Sequence, residues 1–500
     1  MSDTGLRSNL DDLKRKSVRG GAVTFLAQGL LVLIHLASTV VLARLLSPED
    51  YGLISMVLAI TAFAGLFRDL GLSTASVQRS DLTQAQLNTL FWINVGMGCA
   101  LTVIVAAVSP LVAWFYREPA VLELTIALSA VFIISALGAQ HGATLQRTMQ
   151  FRRKSLTSVS GALVTLVVSI VLAYLGYRAW ALAWGTLAGA LVTTLMLFAL
   201  SPFRPGAPAF SSGMASVLKF GGHVTAFELV NYFNRNLDQV LIGRVWGAAS
   251  LGLYARAYQL LMFPISNLRA PLITVAFPAM SRLKGEPAAF RQYYRRVTSV
   301  LAFASMPLVA FLYVAAEPLV VVALGSKWMA VAPIFQGLAF AAFLQPVASL
   351  RGLVTLSAGK TGDYLKLGVV NAAGSSVAFV IGLPWGPYGV ALAYSIANYV
   401  LLYPTLSLAF RGTGVQMSDF FAATLRPAAA SALAAAVCSI PALQNLLPAS
   451  AAVRLVGLAV AFALVWLVAI VCVPGGAKEF KGVFMLLRML KADRVSNKMV

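Results

Sequence analysis

Residues 221–258 read GGHVTAFELVNYFNRNLDQVLIGRVWGAASLGLYARAY. The segment is apolar enough for a bilayer, yet it carries Glu228, Asn231, Arg235, Asp238 and Gln239. At about 100° per residue these five fall within an arc of roughly 100° on a helix. They form one polar stripe on an otherwise lipid-compatible helix. An ionised side chain at the bilayer centre costs about 2.5 kcal/mol or more, so such residues face a bundle interior or a wet cavity. Two readings follow. Arg235 and Asp238 pair locally and hold helices together, or the stripe lines a cavity.

The rest of the chain agrees with a membrane setting. Of its 500 residues 59% are hydrophobic and 11% charged, with mean hydropathy +0.82 and formal net charge +21. This is the composition of an all-α polytopic membrane protein. Windows of about 20 apolar residues predict about fourteen transmembrane helices, the first over 21–44 and the last over 453–473. The polar stripe lies in a span over 217–245, followed by one over 251–277. The apolar run after Gly20 is too long for a cleaved leader and reads as a retained first span. Cys99, Cys438 and Cys472 all sit in apolar stretches and offer neither a disulfide framework nor metal-ligand spacing.

The basic residues give the orientation. With a cytoplasmic N-terminus, roughly 28 of the 38 Lys and Arg fall on the cytoplasmic side. They include Arg147, Arg152, Arg153 and Lys154, the cluster from Arg282 to Arg296, and the tail from Lys478 to Lys498. The opposite side keeps Arg44, Arg117, Arg178, Arg244, Lys327 and Arg454. The positive charge therefore marks a membrane face and its anionic lipids; nucleic acid is not expected as a partner. An even number of spans puts both termini inside. Trp114, Tyr116, Tyr177, Trp180, Trp246, Trp328, Trp385 and Tyr388 fall at the outer ends, where an interfacial belt is expected.

An internal repeat organises the spans. Residues 40–53, VVLARLLSPEDYGL, align without a gap on 240–253, VLIGRVWGAASLGL. Arg44 falls on Arg244 and Gly52 on Gly252, while Gln28 and His35 in the first span fall on Glu228 and Arg235. The offset covers an even number of spans, so both copies share one orientation. This predicts two pseudo-symmetric six-helix lobes, 1–200 and 201–412, around a central cavity. Two additional helices over 413–474 and a basic amphipathic cytoplasmic tail over 475–500 follow. On the tail, Phe480, Phe484 and Leu487 share one helical face.

Signals of catalysis are weak. Gly359-Lys360-Thr361 matches the end of a P-loop, but Val354 stands where its first glycine belongs. The three histidines lack ligand spacing. No enzyme activity, metal or cofactor is expected. Arg235, Arg256, Arg269 and Arg351 instead place guanidiniums inside spans of the second lobe. A guanidinium matches phosphate oxygens with a planar fork of donors. Carboxylates in these spans are fewer, so an anionic guest is the natural complement.

At these residues the chain resembles a known family. The segments are Asn236-x-Asp238-x-x-Leu241-Ile242-Gly243-Arg244, Gly247-x-x-x-Leu251-Gly252-x-Tyr254 and Phe277-Pro278-Ala279. Leu42-Ala43-Arg44-x-Leu46-x-Pro48-x-x-Tyr51-Gly52 and Asp69-x-Gly71-Leu72-Ser73 precede them. In this order they resemble Wzx-type polysaccharide flippases of the multidrug/oligosaccharidyl-lipid/polysaccharide exporter superfamily. The resemblance implies alternating access and a substrate of undecaprenyl-pyrophosphate-linked oligosaccharide repeat units in a bacterial inner membrane. It also implies work alongside a polysaccharide polymerase and chain-length proteins, in contact with membrane lipids. Arg235, Arg269, Arg351, Asn231, Gln239 and His35 become the expected cavity residues, with Glu228 or Asp238 carrying a coupling proton. The alternatives are a lipid II flippase, a cation-coupled multidrug exporter, or, from another class, a polysaccharide polymerase or ligase. The drug exporter calls for a first-span carboxylate, where this chain has Gln28 and His35. The polymerase calls for catalytic groups on a sizeable outer loop, and the outer loops are short.

Overall fold

A computed structural model describes residues 3–69, 83–208, 214–445, 450–476 and 480. Side chains at 3–20, 22, 69, 214–231, 233–235, 443 and 445 are outside this description. The described residues are helices and short connections, with no strand among them. A bilayer dictates this outcome, because a helix satisfies its own backbone polar groups where no water can.

The chain begins with α1 (Asp3–Leu45), α2 (Pro48–Asp69), α3 (Gln84–Tyr116), α4 (Ala120–Arg147), α5 (Phe151–Tyr174) and α6 (Ala179–Leu200). The long α7 (Met214–Arg282) contains the polar stripe. After it come α8 (Pro287–Val314), α9 (Ala316–Ala323), α10 (Val331–Ala348), α11 (Leu350–Ser357) and α12 (Thr361–Gly382). The series closes with α13 (Gly386–Val400), α14 (Leu402–Phe410), α15 (Met417–Cys438), α16 (Pro441–Asn445) and α17 (Ala451–Cys472).

Twelve stretches among the described residues are long and apolar enough to cross a membrane. Two of them, Asn236–Arg282 and Thr361–Val400, have 47 and 40 residues, about twice what one crossing needs. Both are broken. In the second, the break is a 3-10 turn at Leu383–Trp385. In the first it is Gly247, at φ 77° and ψ −178°. A Cβ placed on Gly243 would lie 3.1 Å from Leu251. A straight helix separates residues eight apart by about 12 Å, so the chain folds back at Gly247. Only residues 236–246 of the first stretch precede Gly247, and that arm is completed by the residues of α7 from Met214 onward. With it, the described residues hold about the fourteen crossings that the hydropathy pattern predicts.

The chain divides into two compact units, Met1–Gly252 and Leu253–Val500. The first arm of α7 thus belongs with α1–α6. In this unit the start of α2 meets the turn after Gly247 in a reciprocal contact. A Cβ on Gly52 would strike the backbone of Ala248, and one on Gly252 would strike the backbone of Pro48. Pro48 aligns with Ala248 and Gly52 with Gly252 in the sequence repeat. Residue i meeting j while j meets i is the mark of a two-fold contact. Tyr232 adds a second tie across the repeat, donating its hydroxyl to the Ala59 carbonyl.

Local chemistry shapes the start of α2. Ser47 caps the helix: its N–H and hydroxyl reach Asp50 at 2.9 and 2.7 Å, and its Oγ accepts the Asp50 N–H at 3.2 Å. Asp50 in turn meets Arg178 at 3.3 Å, beside a 3.1 Å pair between Arg178 and Glu49. Helices α5 and α6 pack along a seam of small residues, with Gly161 against Thr193, Gly185 against Ser169 and Gly189 against Thr165. Gly185 and Gly189 have the four-residue spacing that lets membrane helices approach closely.

In the second unit, Tyr294, Phe410, Phe420 and Leu350 are buried in one core. The Ala-rich α15 packs Ala430, Ala434 and Cys438 in another with Phe462 and Trp466 of α17 and Phe303 of α8. Trp466 donates to Ser431 at 3.1 Å. Arg291 donates to the buried Asp419 at 2.7 Å, tying α8 to the first turn of α15. Of the hydrophobic face expected on the tail, Phe480 packs on Trp466 and Phe303 at 5.7 and 6.1 Å between ring centroids. Phe484 and Leu487 lie outside the described residues. The aromatic belt needs correction at two positions. Trp114 and Trp385 are exposed as expected, but Tyr116 and Trp328 are buried. Their position at helix ends is one that packing and interface both favour, and hydropathy cannot separate the two.

Candidate functional site

The second unit brings two of the expected arginines together. Arg269 lies on the second arm of α7 and Arg351 at the start of α11. They are near enough for their charges to interact, with Tyr394 of α13 also close to Arg351. Arg351 donates to the Asn371 side-chain oxygen at 2.7 Å. Asn371 is fixed in turn, its amide donating to the Leu367 carbonyl of the same helix, α12, at 2.7 Å. Gln345 donates to the Tyr394 hydroxyl at 3.3 Å, and the Tyr394 ring stacks on Phe379.

The arrangement has a direct chemical reading. A guanidinium carries five N–H donors, and Arg351 uses one hydrogen bond to a neutral amide. Among the described residues it pairs with no carboxylate. A second guanidinium nearby adds repulsion instead of relief. A guanidinium held in an apolar bundle without a carboxylate is costly, and an anion with several acceptor oxygens removes that cost.

The other expected site residues belong to the first unit. Asp238 is buried, 5% exposed, and its Oδ1 accepts the Gln239 N–H at 2.8 Å. Gln239 is half-buried. His35 is exposed, with Nδ1 on the Leu31 carbonyl at 2.9 Å. The side chains of Glu228, Asn231 and Arg235 lie outside the described residues. Asn371, Gln345 and Tyr394 escaped the sequence reading. Each is a polar residue within an apolar span, and the signal available was its mid-span position.

A family model described as "Polysaccharide biosynthesis protein" matches residues 41–333, more than half of the chain. The chain belongs to this polysaccharide biosynthesis family. A relative in the family's range is the lipopolysaccharide biosynthesis protein WzxC of Escherichia coli (strain K12), 27% identical over 410 residues, 80% of this chain and 83% of that protein. The teichuronic acid biosynthesis protein TuaB of Bacillus subtilis (strain 168) is 25% identical over 431 residues, 84% of this chain and 87% of that protein. Among solved structures, the lipid II flippase MurJ in its inward closed conformation shares the fold. Its TM-score is 0.70 at 15% identity, covering 90% of this chain and 98% of that one. The chain is thus a multi-pass membrane protein, and its helical architecture is shared with that solved structure. The family match includes the polar stripe and Arg269, whereas Arg351 and Asn371 lie beyond its end.

Proposed function

We propose that this chain is a flippase that moves undecaprenyl-pyrophosphate-linked oligosaccharide repeat units across a bacterial inner membrane by alternating access. Family membership supports polysaccharide biosynthesis as the setting. The observation that carries the step is Arg351, held by Asn371, beside the charge of Arg269 and paired with no described carboxylate. The pyrophosphate meets these two guanidiniums and displaces their mutual repulsion. Asn371 keeps the Arg351 fork in place, while Tyr394 and Gln345 present polar atoms to the attached sugar. The prenyl chain stays in lipid, because burying its apolar surface against protein gains little over leaving it among lipid tails.

The remaining parts belong to the same proposal. Arg235, Asn231, Gln239 and His35 contribute to the sugar path, and Glu228 or Asp238 holds a coupling proton. The repeat defines lobes 1–200 and 201–412, followed by the helices of 413–474 and the tail of 475–500. Both termini face the cytoplasm, and a polymerase with chain-length proteins receives the exported unit. The chain is read as a transporter, with rearrangement of helices in place of bond chemistry.

Export complementation in a flippase-deficient host, normalised to membrane protein, tests the reading. Arg351→Ala should reduce export at least about tenfold at near-normal abundance, the loss of about one charge-assisted contact. Arg351→Lys keeps the charge without the fork and should fall between. Full export by the Arg351→Ala, Arg269→Ala double variant would overturn the proposal.

A further inference from the structure

The first unit contains a cavity of about 420 Å³ among α2, α3, α4 and α6. Its walls include Arg68, Asn94, Ser135, Thr193 and Thr194, with Gly138 in the floor between them. The size is within the range of small-molecule sites, roughly 300–1,000 Å³. Arg68 ends α2, Thr194 is one and a half turns from the end of α6, and Gly138 is in the second half of α4. The cavity therefore opens in the half of the unit toward Arg147, Arg152 and Arg204, the end read as cytoplasmic.

Asn94 is the decisive side chain. It is 1% exposed, it lines the cavity, and among the described residues neither its Oδ1 nor its Nδ2 has a hydrogen-bond partner. A buried amide left this way carries an unrecovered desolvation cost, and such a group calls for an occupant. The hydroxyls around it define what the occupant must bring. Thr193 donates its proton to the Gly189 carbonyl and Thr194 to the Ile134 carbonyl, both at 2.8 Å. A hydroxyl has one proton, so both oxygens turn only lone pairs toward the cavity. Arg68 offers only donors and a positive charge. Asn94 offers one group of each kind. The occupant must therefore carry several hydroxyl donors and, on one side, an anionic acceptor. Small residues keep the space open: a Cβ on Gly138 would come within 3.1 Å of both Thr194 Oγ1 and Leu197.

We propose that this cavity is a second binding site, for a glycosyl group bearing a phosphate. The hydroxyls of the sugar donate to Thr193, Thr194 and the Asn94 oxygen, and the phosphate meets Arg68 and the Asn94 amide. Its substrate class deepens the export reading and rests on it. The site gives that substrate a station in the first unit, separate from the arginine pair of the second.

The test is protection of an introduced thiol. Ala139 lines the cavity, so Ala139→Cys is placed in a Cys99→Ser, Cys472→Ser background, which removes the exposed cysteines. Full-length protein in proteoliposomes is labelled with a maleimide. Glucose 1-phosphate should slow labelling, while glucose and inorganic phosphate at equal concentration should not. Asn94→Leu and Arg68→Gln should each raise the protecting concentration by about tenfold, the scale of one lost hydrogen bond to a charged group. A polyprenyl phosphoglucose in the bilayer forms a second arm. Whichever sugar phosphate protects at the lower concentration identifies the source as carrier-linked or soluble. Protection by neither, or equal protection by inorganic phosphate, would overturn the proposal. A protein that exports in complementation yet shows no protection loses this site and keeps the export reading. One that binds here but does not export loses the export reading alone.

Discussion

At the scale of single residues, charge placement separates binding from scaffolding. Arg351 has an amide where a structural arginine would have a carboxylate. Arg235 poses the same question at the polar stripe, next to a buried Asp238 that already accepts the Gln239 N–H. If Arg235 belongs to a structural pair, Arg235→Ala leaves Asp238 buried without its countercharge, a loss of about 3–5 kcal/mol. Abundance then falls, and adding Asp238→Ala restores it together with export. If Arg235 binds pyrophosphate, Arg235→Ala abolishes export at near-normal abundance and the double variant gives no rescue. We expect the second outcome. Quantitative immunoblotting of membranes beside the export assay distinguishes the two. Rescue of export by the double variant would remove Arg235 from the substrate path.

At the scale of elements, glycine positions decide how closely helices approach. The motif Ser47-Pro48-Glu49-Asp50-Tyr51-Gly52 combines a cap, a helix-starting proline, a buried tyrosine and a contact glycine in six residues. Gly52→Ala and Gly252→Ala each drive a methyl group into backbone, which no rotamer change relieves. Overpacking of this kind costs about 1–3 kcal/mol. Both variants should therefore lower the melting temperature of detergent-purified protein by several degrees. Gly21→Ala and Gly29→Ala meet nothing within 4 Å and should not. Equal melting temperatures in all four would show that the reciprocal contact contributes nothing to stability. The capped start of α2 gives a companion expectation. Asp50→Ala removes both the Ser47 cap contact and the Arg178 pair, and should destabilise by about 1 kcal/mol. Thermal unfolding of the same preparations measures it.

At the scale of the whole molecule, the bilayer orients the chain through its basic residues. Lys284 precedes α8 and Ser326 follows α9, and both are exposed. The 28 residues of α8 span about 42 Å, enough to put the two sites on opposite sides of a membrane. In the cysteine-depleted background, Ser326→Cys should react with an impermeant maleimide in intact cells. Lys284→Cys should react only after the membrane is opened. The reverse pattern would invert the topology.

The sequence alone determined the fold class and the number of crossings, because both follow from hydropathy over segments as long as a bilayer is thick. It also marked Gly52 and Gly252 as equivalent positions, and both stand where backbones touch and a Cβ does not fit. The tertiary structure decided which polar residues share a site. Arg351 and Asn371 are 20 residues apart on different helices, and no periodicity links them. Tyr116 and Trp328 show the same limit from the apolar side, where a helix-end aromatic suits a core as well as an interface. Asn94 could be read as one polar residue in an apolar span. Only the packing of α2, α3, α4 and α6 around it left its amide facing a cavity. Hydropathy depends on each residue by itself, whereas a site depends on which neighbours the folded chain supplies.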